Sequence, residues 1–373
     1  MIENYLKIAV RNIGRRKGYS FINVSGLALG MAICILIMLW VYDESQLRTN
    51  VPGAGDITNI YLFSAIAFII LLMACINFMN LTTARGADRL KEVGIRKVVG
   101  ARRSGIIKQF LSESFLLAFF ALILAAILVE LLLPAFSRLT GKQLMSPWLG
   151  NPFILPGMIV VTLVTGIMAG SYPAFFLSSF QPVKVLKSTL KPGTSGGLFR
   201  KALVIFQFSL AVIFLVGSMV IYRQLDYIKN IVDKFPDGML TAEKRVMMIF
   251  IYLSLLAIFI ACHGLYGLSV FLAEQRTREI GIRKVFGASG TDVWRLFSYQ
   301  FMKWIITANL LAWPIAYILL DNLLIRNFAY RIHIGPWPFV LSGILTSVIA
   351  LLTVGFQTFK AASANPSDTL RRQ

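Results

Sequence analysis

The stretch GYSFINVSGLALGMAICILIMLWVY, from Gly18 to Tyr42, contains no charged residue and is bracketed by Lys17 and Asp43. A helix rises about 1.5 Å per residue and bilayer hydrocarbon is about 30 Å thick, so about 20 apolar residues cross it. Gly18–Tyr42 is long enough. It lacks a small-x-small cleavage site followed by a soluble domain, so it is expected to stay as an anchor rather than leave as a signal peptide.

The rest of the chain repeats this character. Of its 373 residues 57% are hydrophobic and 14% charged, against about a quarter charged in a soluble domain. Seven more segments are long and apolar enough to span: between Asp56 and Arg85, about Ile106–Leu133, from the Pro147, Pro152 and Pro156 approach to Phe180, between Lys201 and Arg223, between Arg245 and Glu274, about Val293–Leu324, and about Pro336–Phe359. Open-ended backbone satisfies its polar groups in lipid only as helix, and no segment alternates as barrel strands do. The fold class expected is all-α, a polytopic membrane protein with eight transmembrane helices.

The net charge of +20 then has a topological reading. Of the 37 Lys and Arg, 26 fall at the N-terminus up to Lys17, in loops 85–108, 184–201 and 276–295, and in the tail from Lys360. Cationic loops stay inside, which places both termini on the cytoplasmic side. The charge is spent on orientation, and nucleic acid is not expected as a partner. Cys34, Cys75 and Cys262 lie in apolar runs without paired spacing, so neither a disulfide framework nor a metal site is expected.

One of the basic loops contains KEVGIRKVVGA (Lys91–Ala101), and another contains REIGIRKVFGA (Arg278–Ala288). The two differ only at Lys91/Arg278, Val93/Ile280 and Val99/Phe286. At the same spacing Ala74-Cys75 matches Ala261-Cys262, while Arg16-Lys17 resembles Arg200-Lys201 and FQPVKVL (Phe180–Leu186) resembles ANPSDTL (Ala364–Leu370). The chain therefore reads as two four-helix repeats, 1–185 and 186–373. An even number of spans makes the repeats parallel.

Within each motif, Gly94 and Gly281 are expected to interrupt a helix leaving the membrane, and Gly100 and Gly287 to mark a second turn. Ile95, Val98 and Val99, interleaved with Arg96 and Lys97, and their counterparts Ile282, Val285 and Phe286 with Arg283 and Lys284, suggest a short interfacial helix with its apolar side inward. A basic loop touching phospholipid explains one copy. Two copies with the same glycine spacing and matched acids, Glu92 and Glu279, favour a shaped docking element.

EVGIRKVVGA and EIGIRKVFGA, with LKIAVRNIGRRKGYSFINVSGLALGMA and SYPAFFLSSFQPVKVLK, resemble the FtsX/MacB-type permeases of ABC transporters in their tandem eight-helix form. The resemblance implies that Glu92, Gly94, Arg96, Lys97 and Gly100, with Glu279, Gly281, Arg283, Lys284 and Gly287, couple to two copies of an ABC ATPase subunit. No cofactor is expected on this chain, which has no GxxxxGK[ST]; ATP and Mg would be bound by the partner. The implied output is export or release of an amphipathic peptide, lipoprotein or drug across a bacterial inner membrane, with a periplasmic adaptor or effector as a further partner. A signal transmitter acting on an envelope enzyme or sensor would use the same loops. Family members carry an extracytoplasmic domain after the first helix, and eight-helix members usually a second after the fifth; here those connections are short, which suggests domains removed, or left out of this chain, near 45–50 and 230–235.

The remaining signals are local. Gly26 and Gly30 form a GxxxG on the first helix, an expected close-packing face. Glu113, after Arg102-Arg103, suits an interfacial salt bridge, Lys303 a snorkelling role, and His263 hydrogen-bonded packing. Ile2–Arg16 reads as an interfacial helix.

Overall fold

The computed structural model describes residues 17–50, 57–144, 154–179, 197–231, 241–275, 277–323, 325 and 331–363. Among them every regular element is helical. In chain order these are α1 (Lys17–Asn50), α2 (Ile57–Val98), α3 (Arg103–Thr140), α4 (Ile154–Ser179), α5 (Gly197–Ile231), α6 (Thr241–Gln275), α7 (Thr277–Val285), α8 (Gly290–Leu323) and α9 (Trp337–Ser363). All but α7 contain a segment long and apolar enough to cross a membrane, eight in all among the described residues. The expected eight-span, all-α architecture is present.

The chain forms two compact units, Met1–Arg200 and Lys201–Gln373. In the first, α1 packs on α2 and α3, and α4 packs on α2 and α3. Lipid is as apolar as leucine, so helices gain by close backbone approach rather than by leaving solvent. Ala28 and Ala32 of α1, Ala74 and Cys75 of α2, Ala118, Ala121 and Ala125 of α3 and Ala169 of α4 accordingly fill one core. Gly30 of α1 presses on α2 so closely that a Cβ there would stand 2.5 Å from the Ala74 Cβ. Gly26, one turn earlier, is also buried. Gly170 of α4 meets Ser114 of α3 in the same manner.

The second unit combines apolar packing with polar bonds between its spans. Val212, Val216 and Val220 of α5 pack on Ala312, Ala316 and Leu320 of α8. Gln207 donates to the Ile260 carbonyl at 3.2 Å, Ser209 to the Ala308 carbonyl at 3.0 Å, and Asn309 to Thr346 Oγ1 at 3.3 Å. Each bond ties two helices and satisfies a polar group that lipid would leave bare.

The expected domain junctions are only partly described. α1 stays helical to Asn50 and α5 to Ile231, while 51–56 and 232–240 lie outside the described residues. Ile2–Arg16, Phe180–Leu186 and Ala364–Leu370 also lie outside them, as does the expected repeat boundary at 185/186.

Candidate functional site

Each copy of the repeated motif ends a helix in the same way. In the first, the Gly100 N–H donates to the Lys97 carbonyl at 3.1 Å and the Ala101 N–H to the Arg96 carbonyl at 2.9 Å, with Gly100 at φ +97°. In the second, the Ala288 N–H reaches the Arg283 carbonyl at 2.9 Å, with Gly287 at φ +87°. This is a Schellman ending, and its left-handed residue is glycine because a Cβ there would crowd the backbone. The second expected turn is thus formed at both places.

The first expected interruption is not. Gly94 lies inside α2, which runs unbroken to Val98, and Gly281 lies inside α7. A single glycine weakens a helix by only about 1 kcal/mol, and here packing overrides it. The expected interfacial helix is, in the first copy, the last turns of α2; in the second it is the nine-residue α7.

The apolar residues of the motif divide between two arcs of the helix. Val93 is 4% exposed and packs with Ile106, Phe110, Ala174 and Leu177; Ile280 is 7% exposed. Ile95, Val98 and Val99 instead face outward, Val99 at 82% exposure, as do Ile282 and Phe286, the latter at 86%. The helical period explains this. Positions 93, 94 and 97 share one arc, and 95, 98 and 99 share the opposite one. Once Val93 and Gly94 are buried, the other apolar residues must point away from the bundle.

Basic residues fasten the inward arc. Arg96 pairs with Glu92 at 2.7 Å and donates to Gln109 Oε1 at 2.6 Å. Lys97 donates to the Ser178 carbonyl at the end of α4 at 2.6 Å, and Arg103 to Ser178 Oγ at 3.3 Å. Desolvation, with the Arg103 charge adding to it, pulls the Lys97 ammonium below the usual lysine range. Glu113 does form a salt bridge, but its partner is Arg89 of α2 rather than Arg102 or Arg103. In the second copy Arg283 and Glu279 reproduce the 2.7 Å pair, half-exposed. Positions matching Gln109 and Glu113 carry Leu296 and Gln300, so the second tip lacks those two anchors. Ser289 and Asp292 cap α8 instead, the Ser289 N–H donating to Asp292 Oδ2 at 2.9 Å.

Three anchors escaped the sequence reading: Arg89, Gln109 and Ser178. For Arg89 there was a signal, since an acid such as Glu113 near the end of an apolar span needs a cation beside it. Nothing in the sequence marks Gln109 or the Ser178 carbonyl. Of the lesser residues, Lys303 places its ammonium 4.2 Å over the Tyr299 ring, and His263 stacks on Phe259 with centroids 5.9 Å apart. Among the described residues no group of three His, Cys, Asp or Glu is arranged to hold a metal ion.

Eight helices long and apolar enough to span, among the described residues, are those of a multi-pass membrane protein. The chain belongs to the FtsX-like permease family: the family's C-terminal domain matches residues 64–182 and again 251–366, stretches that begin as far apart as Lys91 and Arg278. The macrolide export ATP-binding/permease protein MacB of Bdellovibrio bacteriovorus is 33% identical over 162 residues, 38% of this chain and 24% of the relative. MacB of Bradyrhizobium diazoefficiens is 33% identical over 146 residues, covering 39% and 22%. The pyoverdine export ATP-binding/permease protein PvdT of Pseudomonas putida is 32% identical over 130 residues, covering 34% and 19%. The matched segments span about a quarter of these relatives or less. No solved structure matches the chain.

Proposed function

We propose that the chain is the membrane-spanning subunit of an ABC-type exporter in a bacterial inner membrane, and that Val98–Val99 and Phe286 are the tips that seat in two ATPase subunits. The observation that carries this reading is the pair of matched tips. Each has the same glycine-capped backbone, the same Arg–Glu brace and an apolar residue more than four-fifths exposed beyond it. A lone apolar residue on a surface is ordinary; the same exposed position presented twice on a braced backbone suits an apolar socket in a partner. The relatives' names couple permease with ATP binding, whereas this chain has no GxxxxGK[ST], so ATP and Mg belong on the partner. Glu92, Gly94, Arg96, Lys97 and Gly100, with their second-copy counterparts, shape and brace the tips rather than touch the nucleotide.

ATP-driven movement of the seated tips would pass along α2 to α1, and through α6 in the second half, to whatever stands outside the membrane. The relatives' names, macrolide export and pyoverdine export, favour export of a small molecule as the output. The test is a pull-down of the tagged chain from mild detergent. Two copies of an ATPase per chain are expected, lost when Val99→Asp and Phe286→Asp are combined. Unchanged recovery of the ATPase in the double variant would overturn the assignment of the tips.

A further inference from the structure

Among the described residues Arg200 is a guanidinium without a carboxylate beside it. It is 8% exposed, and its Nε and Nη1 are enclosed with no hydrogen-bond partner. No carboxylate among the described residues pairs with it, and the ionisable group that bears on it is the phenol of Tyr172. Removing a cation from water without pairing it is among the costlier arrangements a protein can hold.

The surroundings specify what would pair with it. Arg200 lies in the first turn of α5, a turn with no acidic residue. The leading N–H groups of a helix have no partners within it and carry a partial positive charge, which adds to the attraction for an anion. Tyr172 stacks on Phe199 with centroids 3.7 Å apart and on Phe176 at 5.5 Å, an aromatic wall whose phenol bears on the guanidinium. Leu198, two residues before Arg200, is 80% exposed. All of these residues lie within the first compact unit. The sequence puts them at the basic, cytoplasmic ends of the spans, where headgroup phosphates lie.

We propose that Arg200, the first turn of α5 and the Tyr172–Phe176–Phe199 wall form a phosphate site that takes the headgroup of an anionic phospholipid from the cytoplasmic leaflet. The guanidinium fork and helix N–H groups bind the phosphate oxygens. The acyl chains run beside Leu198 and the aromatic wall. An anion alone would satisfy the charge but leave Leu198 and the wall uncovered, which is why a lipid fits better than free phosphate. This site is separate from the two tips and does not depend on the reading of them.

The test uses the full chain, stripped of lipid in a neutral detergent and titrated with phosphatidylglycerol, phosphatidylcholine or inorganic phosphate. Native mass spectrometry at high ionic strength counts bound lipid, and a melting curve reports folding. One phosphatidylglycerol should survive on the chain with a preference over phosphatidylcholine of about tenfold, as a charge-assisted fork predicts. Arg200→Gln should abolish that preference, Arg200→Lys should keep part of it, and the exposed control Lys108→Gln should leave it unchanged. If Arg200→Gln does not fold, the wild-type preference and the Arg200→Lys titration still decide. No preference in the wild type, or equal losses in Lys108→Gln and the Arg200 variants, would overturn the site. Displacement of the lipid by millimolar phosphate would overturn the lipid as its ligand and assign the site to free phosphate.

Discussion

Arg89 and Glu113 meet as a two-bond fork, Nη1 to Oε2 at 2.7 Å and Nη2 to Oε1 at 2.9 Å, joining the end of α2 to the start of α3. The two side chains are 19% and 15% exposed, so solvent screens the pair only in part. The Arg89 guanidinium also lies 4.6 Å over the Phe110 ring. This fork holds the first tip to the bundle. A forked pair cannot be matched by a point charge, because an ammonium makes only one of the two parallel bonds. Arg89→Ala should therefore destabilise the first unit by about 2 kcal/mol, and Arg89→Lys should recover less than half of that. Melting curves of the purified chain check this; equal behaviour of the two variants would show that charge alone matters.

Glycine at 100 and 287 should be required for backbone reasons only. At neither position would a Cβ meet any atom beyond the adjoining backbone within 4 Å. The whole cost of Gly100→Ala or Gly287→Ala is then the left-handed backbone, about 1–2 kcal/mol, and Asn should cost less than Ala. Gly18→Ala, also in open space but in ordinary helical backbone, should be neutral or slightly stabilising. The three melting temperatures separate conformational from steric cost.

The contact between Gly30 and Ala74 is steric instead. Gly30→Ala would set two Cβ atoms 2.5 Å apart, and α1 could accept it only by moving off α2. A loss of about 2 kcal/mol is expected. Adding Ala74→Gly should restore most of it, since the second change removes the atom that clashes. A double variant no better than Gly30→Ala would place the strain elsewhere.

How far the sequence foretold these features depends on their range. Span number, helix class and the glycine endings follow from local composition and spacing, as Gly18–Tyr42 and Gly100 show. The GxxxG at Gly26 and Gly30 marked a packing face but did not identify Ala74 as what lies across it. Ile95, Val98 and Val99 read as one apolar stripe, but only the packing of Val93 and Gly94 shows that this stripe faces away from the bundle. Arg89–Glu113 bridges two helices, and pairings of that kind are set by how the helices dock. Arg200, in a basic loop, looks like one more orienting charge; only its burial without a partner sets it apart.

At the opposite end of the first unit, Lys142 closes on the end of α1. Its ammonium is 2.7 Å from Asp43 Oδ2, also reaches Glu44, and lies 5.4 Å from the centre of the Trp40 ring. In the second unit Gln224, in the later turns of α5, accepts the Ile332 N–H on its Oε1 at 3.1 Å. The first helix of each unit is thus tied to the connection between that unit's last two spans, by charge in one and by a neutral bond in the other. Ion pairs near the surface weaken with salt, while a neutral hydrogen bond carries no charge for salt to screen. Hydrogen exchange at 40–46 should rise with salt and rise further in Lys142→Met, and exchange at 221–225 should change with neither. Because Asp43 and Glu44 are each left without the shared cation, Lys142→Met should cost about 1–2 kcal/mol, and Lys142→Arg should restore most of it. Equal salt response in both segments would mean that the two ties are held by the same forces, and the charge on Lys142 would then have no part in distinguishing them.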